Sequence, residues 1–384
     1  MTCANPFRSR LKSGIQYLLA LQFLRKLTEP STSCIILLIG ILFAVLPPSS
    51  IQACAVPVFK YALTYWAPDP YGVIVFHRGP LSTEQKLLVD RLQRASLGID
   101  TRANVIVRMV NLAGSPDAEM QKLWEAQSGS EMPWMVLKYP RLSMISEDVW
   151  SGPLEGDAVE AILDSPVRKE IARHILEGKV AVWILLESGS KQQDDEAANL
   201  LETQLKKMSE TLRISVPELG GDQFTESDLS VSFSVLRLSR SDPDEKILVQ
   251  MLLKSEWDLK TFSKPIAFPV FGRGRALYAL VGDGITESNI EMACAFLVGW
   301  CSCQVKAQNP GVDLLMSVDW DNMIGDELYS ETTLLMESSE PAAIEVARPN
   351  VLRRNVLIVL VILVLGVAIL TFVVLWRGKR SNRL

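Results

Sequence analysis

The stretch from Pro265 to Val298 constrains the fold of this 384-residue chain more than any other. A short apolar run follows the proline, the turn Gly272-Arg273-Gly274-Arg275 comes next, and a second apolar run ends in Gly-Asp-Gly before an amphipathic helix. Because the glycine-rich turn lies between two apolar runs and does not open a helix, it predicts a β-hairpin and argues against a phosphate-binding loop. The stretch therefore predicts the closing hairpin and helix of an α/β unit.

The same order of elements can be read twice along the chain. Apolar and alternating runs predict strands at residues 73–76, 105–112, 134–139 and 149–154, and again at 180–186, 231–239 and after Pro265. Ser115-Pro116 in the first half and Asp242-Pro243 in the second both predict a helix N-cap followed by proline. Pro133 and Pro265 each stand directly before a predicted strand. The sequence therefore predicts a structural duplication.

Helix signals separate these strands. Ser82 predicts a helix start, with Gln85 in the first turn. Residues 158–178 predict a helix that is broken or kinked near Pro166 and ended by Gly178. Apolar residues recur at helical spacing from Asp194 to Leu212, which predicts a long amphipathic helix.

This order of elements resembles the thioredoxin fold. The predicted fold class is α/β: two tandem thioredoxin-like domains, at residues 54–178 and 179–325, plus a C-terminal transmembrane helix. The resemblance implies a cis-proline cleft at Pro133 and at Pro265. It also implies a Cys-x-x-Cys pair just after each first strand, where a helix N-terminus lowers the thiol pKa. The matching stretches, His77–Ser82 and Glu187–Lys191, contain no cysteine. Reductase activity is therefore not expected.

The cysteines leave three readings open. Cys294, Cys301 and Cys303 cluster near the end of the predicted second domain. Cys294 and Cys301 would be about 10.5 Å apart on one continuous helix, which exceeds disulfide reach, and Gly299 predicts that the helix ends between them. A structural disulfide among the three cysteines, free buried thiols, and a metal or redox site all remain possible at this point. Cys54 lies in a loose lipoprotein-type box, Ile51-Gln-Ala-Cys54, so lipidation and ordinary cleavage near Ala53 or Ala55 are alternatives.

The two ends of the chain predict where the protein is located in the cell. Five basic residues precede the twelve-residue apolar run 35–46, so residues 1–53 predict a signal peptide. Residues 355–376 contain an uncharged apolar 21-mer that predicts a transmembrane helix, followed by a basic cytoplasmic tail at 377–384. Residues 326–354 predict an acidic tether. We expect a bacterial, single-pass protein of the cytoplasmic membrane, with most of its chain extracytoplasmic and its C-terminus cytoplasmic.

The middle of the chain is acidic. The two ends hold eleven of the 39 basic residues and one of the 44 acidic ones, which leaves a net charge of about −15 between them. A surface that acidic repels phosphate backbones, so no nucleic acid is expected as a partner. Asp313, Asp319 and Asp321 do not match a calcium loop and are interpreted as surface acids. His77, at a predicted strand end, and His174, on a predicted helix surface, give no metal site.

These observations predict a membrane-anchored, extracytoplasmic protein-binding or scaffold module on redox-inactive thioredoxin-like domains. Its expected partners are the membrane and other envelope or membrane proteins, and no cofactor is expected. The alternative is a thiol-disulfide or metal-handling protein that uses Cys301 and Cys303.

Overall fold

Two mixed β-sheets and the helices around them make up the part of the chain that the structure describes. The computed structural model describes residues 56–127, 131–214, 230–300, 305–325, 328–330 and 332–333. The helices in that part are α1 Val58–Tyr65, α2 Thr83–Leu97, α3 Ala118–Glu125, α4 Gly156–Leu163, α5 Pro166–Leu176, α6 Lys191–Thr211, α7 Lys246–Leu253, α8 Glu287–Val298 and α9 Trp320–Met323. The strands are β1 Tyr71–His77, β2 Val105–Asn111, β3 Trp134–Lys138, β4 Asp148–Pro153, β5 Ala181–Leu186, β6 Phe233–Leu238, β7 Ile266–Phe271, β8 Arg275–Ala276, β9 Leu280–Val281 and β10 Val312–Asp313.

The two halves repeat one strand order. The first sheet runs β2-β1-β3-β4, with β1 parallel to β2 and antiparallel to β3, which is in turn antiparallel to β4. The second sheet runs β6-β5-β7-β8, with the same directions at each matching step, and adds β10 beside β8 and β9 beside β7. The predicted duplication is therefore present as two separate sheets of matching order.

Several helix boundaries follow from local side-chain chemistry. Ser82 caps α2, and its hydroxyl accepts from the Gln85 amide while the Gln85 side chain accepts from the Ser82 amide, as the sequence predicts. Pro166 opens α5 and separates it from α4, which confirms the predicted break. The N-caps predicted at Ser115 and Asp242 are wrong.

Those two helices begin later for different reasons. Asp117 caps α3, since its carboxylate accepts from the Met120 amide at 2.9 Å. The Asp242 carboxylate accepts instead from the amide of Asp244, which closes a local turn, and α7 starts at Lys246. A Ser-Pro or Asp-Pro pair therefore marked the approach to each helix and not its first turn.

The two sheets share one hydrophobic core. The inner face of the first sheet, with Val73 and Leu137, and the α7 face of the second sheet, with Ile184 and Phe268, belong to one buried cluster. Helices α2, α4, α5 and α7 contribute to that cluster. The other face of the second sheet has its own buried cluster with α1, α6 and α8. The other face of the first sheet carries only a small cluster, to which α3 contributes Met120.

The predicted fold class needs correction. The structure supports a mixed α/β chain with two sheets, and among the described residues no helix is both long and apolar enough to cross a bilayer. The expected span at residues 355–376 lies outside the described residues, as do the expected signal peptide, the cytoplasmic tail and nearly all of the acidic tether.

Candidate functional site

Each sheet has one end where a strand preceded by proline meets the end of a central strand. Phe76 pairs with Trp134 in the first sheet, and Leu186 pairs with Ile266 in the second. Because these strands are antiparallel, the next residues along place His77 beside Pro133 and Glu187 beside Pro265. These two strand ends are the predicted clefts, and the match in register allows a position-by-position comparison.

The two prolines differ in their peptide bonds. The Met132–Pro133 bond is cis, as predicted. The prediction of a cis bond is wrong at Pro265, whose preceding bond is trans. There the Arg240 guanidinium donates to the Lys264 carbonyl oxygen at 2.7 Å and fixes the orientation of the peptide group before the proline. The carbonyl oxygens of both prolines accept from a neighbouring backbone amide, Leu154 or Gly282.

Arg240 closes the second cleft. Its guanidinium donates to three backbone carbonyl oxygens: Glu187 at 2.9 Å, Phe262 at 2.7 Å and Lys264 at 2.7 Å. Arg240 therefore fastens the loop before β7 to the end of β5. Leu238 pairs with Leu186 in the second half, and Val110 pairs with Phe76 at the matching position in the first half. Arg240 lies two residues after Leu238, so its counterpart, two residues after Val110, is Leu112. A leucine has no side-chain donor, so the first cleft has no such clasp.

The loop after β5 is filled by a carboxylate of its own chain. Asp194, which is buried, accepts from the Ser188 amide at 2.7 Å, the Ser188 hydroxyl at 2.8 Å and the Gly189 amide at 3.0 Å. In a redox-active thioredoxin-like protein this loop would carry the reactive thiol. Here the amides of Ser188 and Gly189 already donate to Asp194, so these two amides are not available to stabilise a substrate anion.

The loop after β1 is more open. It is one residue longer than the loop after β5, and no buried acid holds it among the described residues. The His77 imidazole is half-buried, and its Nδ1 lies 2.8 Å from the carbonyl oxygen of Gly79, whereas Nε2 has no partner in the described part of the chain. Within the same part of the chain, the backbone of Met132 also has no hydrogen-bond partner.

Of the candidate thiols, the described part of the chain contains Cys294. Cys294 is fully buried in α8, and burial raises the pKa of its thiol to about 12. Cys294 is a free thiol. Gly299 ends α8, as predicted. Cys54, Cys301 and Cys303 lie outside the described residues.

The prediction that His174 lies on a helix surface is wrong. His174 is largely buried, with Nδ1 2.6 Å from the Ser234 hydroxyl and Nε2 2.6 Å from the Arg173 guanidinium. Because a guanidinium only donates, Nε2 must accept and the proton must sit on Nδ1, from which it is donated to Ser234. The imidazole therefore cannot accept the Ser234 proton, and this pair is a structural contact between α5 and β6.

Asp313 is also not the surface acid that the sequence predicts. It is only 3% exposed, and its carboxylate binds Lys306, the Arg275 guanidinium at 2.9 Å and the Asp69 amide at 2.6 Å. Asp321 is exposed but pairs with the buried Arg273 at 2.7 Å. The arginines of the predicted hairpin turn thus bind acids that lie 38 and 48 residues further along the chain.

A groove lies on the poorly covered face of the first sheet. Its volume is about 960 Å³, and its lining is mainly apolar. Ile74 and Ile106 form part of its floor, α3 forms one wall, and the loop from Tyr139 to Asp148 forms the other. No sequence signal predicted this groove, because it follows from how helices pack on the sheet: among the described residues, α3 is the helix that contributes to the buried cluster on that face.

Comparisons with known proteins add little. No protein-family model and no curated protein matches this chain. The solved structure titled "Crystal structure of ERdj5 form I" is similar over 79% of this chain, at 11% sequence identity and a TM-score of 0.20. The similar region covers 32% of that protein's chain, about a third. At this TM-score the likeness carries no weight for fold or function.

Proposed function

We propose that this protein is a non-catalytic protein-binding module whose first half binds an extended segment of a partner at the Pro133 cleft. The carrying observation is that Arg240 clasps the matching cleft at Pro265, whereas Leu112 stands at the equivalent position of the Pro133 cleft and no side chain among the described residues clasps it. A free backbone next to a strand end can pair with an extended peptide, and main-chain hydrogen bonds then supply affinity.

We further propose that both halves are thioredoxin-like repeats. Support comes from the repeated strand order with the third strand antiparallel to the rest. Both loops that would hold a Cys-x-x-Cys pair lack sulfur, and Asp194 fills the second one. In this proposal the second half supports the first and binds no peptide itself.

The chemistry of the first cleft favours a partner with apolar and hydrogen-bonding groups. Trp134 is half-buried at the cleft, and its indole nitrogen donates to Gln127 at 3.2 Å, which holds the ring in place. His77 Nε2 can accept from or donate to a peptide group. The basic residues and apolar run near the N-terminus favour an extracytoplasmic location, so we propose another envelope protein as the partner.

Selection from a library of short extended peptides on the purified full-length chain tests this proposal. A selected peptide should bind the native chain at least ten-fold more tightly than the Leu112→Arg variant, a difference of about 1.4 kcal/mol. The introduced arginine should clasp the first cleft as Arg240 clasps the second. Leu97→Arg, which changes an exposed leucine at the far end of α2, is the matched control and should bind like the native chain. Equal affinity for the native chain and Leu112→Arg, or a library without binders, would contradict the proposal.

A further inference from the structure

The groove on the first sheet exposes apolar side chains, and hydrogen bonds within the loop hold its wall in place. Ile106 on β2 is 57% exposed, and Leu142 and Met144, on or beside the groove wall, are 72% and 89% exposed. The loop that carries the last two is held by its own hydrogen bonds, from the Ser143 hydroxyl to the Pro140 carbonyl at 2.7 Å and from the Ile145 amide to the Ser143 hydroxyl at 3.3 Å. Met144 has a left-handed backbone with a φ of 59°, which is uncommon for a residue other than glycine.

The charges around the groove are unequal. Five of its charged groups are neutralised by partners: Arg108 by Asp117, Lys138 and Asp148 by each other, Glu147 by Lys260, and Asp69 by Lys306. Lys122 and Arg141 are exposed and have no acidic partner among the described residues, against one such acid, Glu119. The groove of an acidic protein is thus left with a small basic excess.

One segment of the same chain has the complementary chemistry. Residues 334–347 read LLMESSEPAAIEVA, with three glutamates, no basic residue and eight apolar residues besides the proline. Its second part places Ala342, Ile344 and Val346 at alternate positions, the pattern of a strand with one apolar face. Charge and apolar pattern both match the groove.

The segment also begins within reach. Thr333 lies 3.3 Å from the hydroxyl of Tyr65, measured from its own hydroxyl, and Tyr65 is four residues before Asp69 at one end of the groove. Four residues span at most about 14 Å, whereas the fourteen residues 334–347 reach about 46 Å when extended. About ten residues would remain to lie along the groove.

We propose that residues 334–347 dock in this groove and cover the open face of the first sheet. The apolar residues would lie on Ile106 and Leu142, and the glutamates would face Lys122 and Arg141. The proposal is independent of the Pro133 cleft, which lies at the opposite end of β1 and β3.

Photo-cross-linking in the full-length chain tests the docking. A benzophenone amino acid at Ile344 should cross-link to peptides that contain Ile106 or residues 139–147 of the same molecule, as mass spectrometry would show. The yield should fall at least ten-fold in Lys122→Glu/Arg141→Glu. It should stay unchanged in Lys86→Glu/Lys206→Glu, which reverses two exposed lysines that do not line the groove.

Two further experiments test whether residues 334–347 of the same molecule occupy the groove. Reversal of Glu337, Glu340 and Glu345 to lysine should restore the cross-link in the Lys122→Glu/Arg141→Glu background. Mixing isotopically labelled and unlabelled chains separates links within a molecule from links between copies. Cross-links between copies, cross-links elsewhere on the chain, or a yield that ignores the groove charges would each overturn the proposal.

Discussion

The two halves share a strand order but differ in what remains available at their surfaces. In the second half, both sheet faces are packed, Asp194 fills the loop after β5, and Arg240 clasps the cleft at Pro265. In the first half, the described residues form a small buried cluster and a groove on one sheet face, the loop after β1 has the Ser82 cap and the contact between His77 and Gly79, and Leu112 stands where the clasp would be. The two halves thus have matching strand orders, but the second is closed and the first is more open. This contrast is the basis of our proposal that the second half supports the first and that the first half binds the partner.

The largest effect should come from the carboxylate that closes the second half. Asp194→Ala removes the acceptor of three hydrogen bonds and leaves two backbone amides without a partner. We expect a loss of about 3 kcal/mol in the free energy of unfolding, measured by urea denaturation. Glu202→Ala, at an exposed site on the same helix, should change it by less than about 0.5 kcal/mol. A loss of stability no larger than that of the control would contradict the claim that Asp194 holds the loop after β5.

A smaller loss should follow from opening the clasp. Arg240→Leu copies the first half's residue into the second and should lower the free energy of unfolding by about 2 kcal/mol, since three hydrogen bonds from a charged group are lost. Hydrogen exchange should speed up at the amides of residues 262–264 and not in the core strand β5. If exchange at 262–264 is unchanged, Arg240 does not hold that loop.

The cap of the first half should matter least among the three. Ser82→Ala removes the hydroxyl that accepts from the Gln85 amide and should cost about 1 kcal/mol. Calorimetry of Ser82→Ala beside Asp194→Ala compares the two loops directly. A larger loss for Ser82→Ala would reverse the assignment of the more firmly held loop.

The Cys294 thiol should not react with alkylating reagents in the native protein. Its raised pKa of about 12 keeps the thiol protonated, so only about one molecule in 10,000 carries the thiolate at pH 8. Because the folded protein keeps this proton while the unfolded chain releases it, stability should fall as the pH rises above about 9. Iodoacetamide at pH 8 followed by peptide mass spectrometry should label Cys294 only after denaturation. Rapid native labelling would show that α8 is not packed as described.

The positions of the strands could be predicted from the sequence more accurately than the side-chain contacts could. The apolar runs that became β1, β3, β5 and β7 are buried on both faces, so their continuous hydrophobic pattern was a sufficient signal. The start of α3 was missed because Asp117 competes with Ser115 for the cap, and only the geometry decides which carboxylate or hydroxyl reaches the Met120 amide.

The features that separate the two halves arise from long-range contacts. Arg240 reaches carbonyl oxygens 53, 22 and 24 residues away, and Arg275 pairs with Asp313 over 38 residues. Nothing in the local pattern of Arg240 distinguishes it from a solvated arginine. For the same reason Pro265 was expected to match Pro133, and the groove was not foreseen.

Peptide binding by a reciprocal pair of variants tests the central contrast most directly. The measurement is the affinity of one selected peptide for the native chain, for Leu112→Arg and for Leu112→Arg/Arg240→Leu, by isothermal titration calorimetry. We expect binding to be lost in Leu112→Arg and to return, at one site, in the double variant, where the second cleft has been opened. Undiminished binding by Leu112→Arg would contradict the conclusion that the open end of the first half is the binding site.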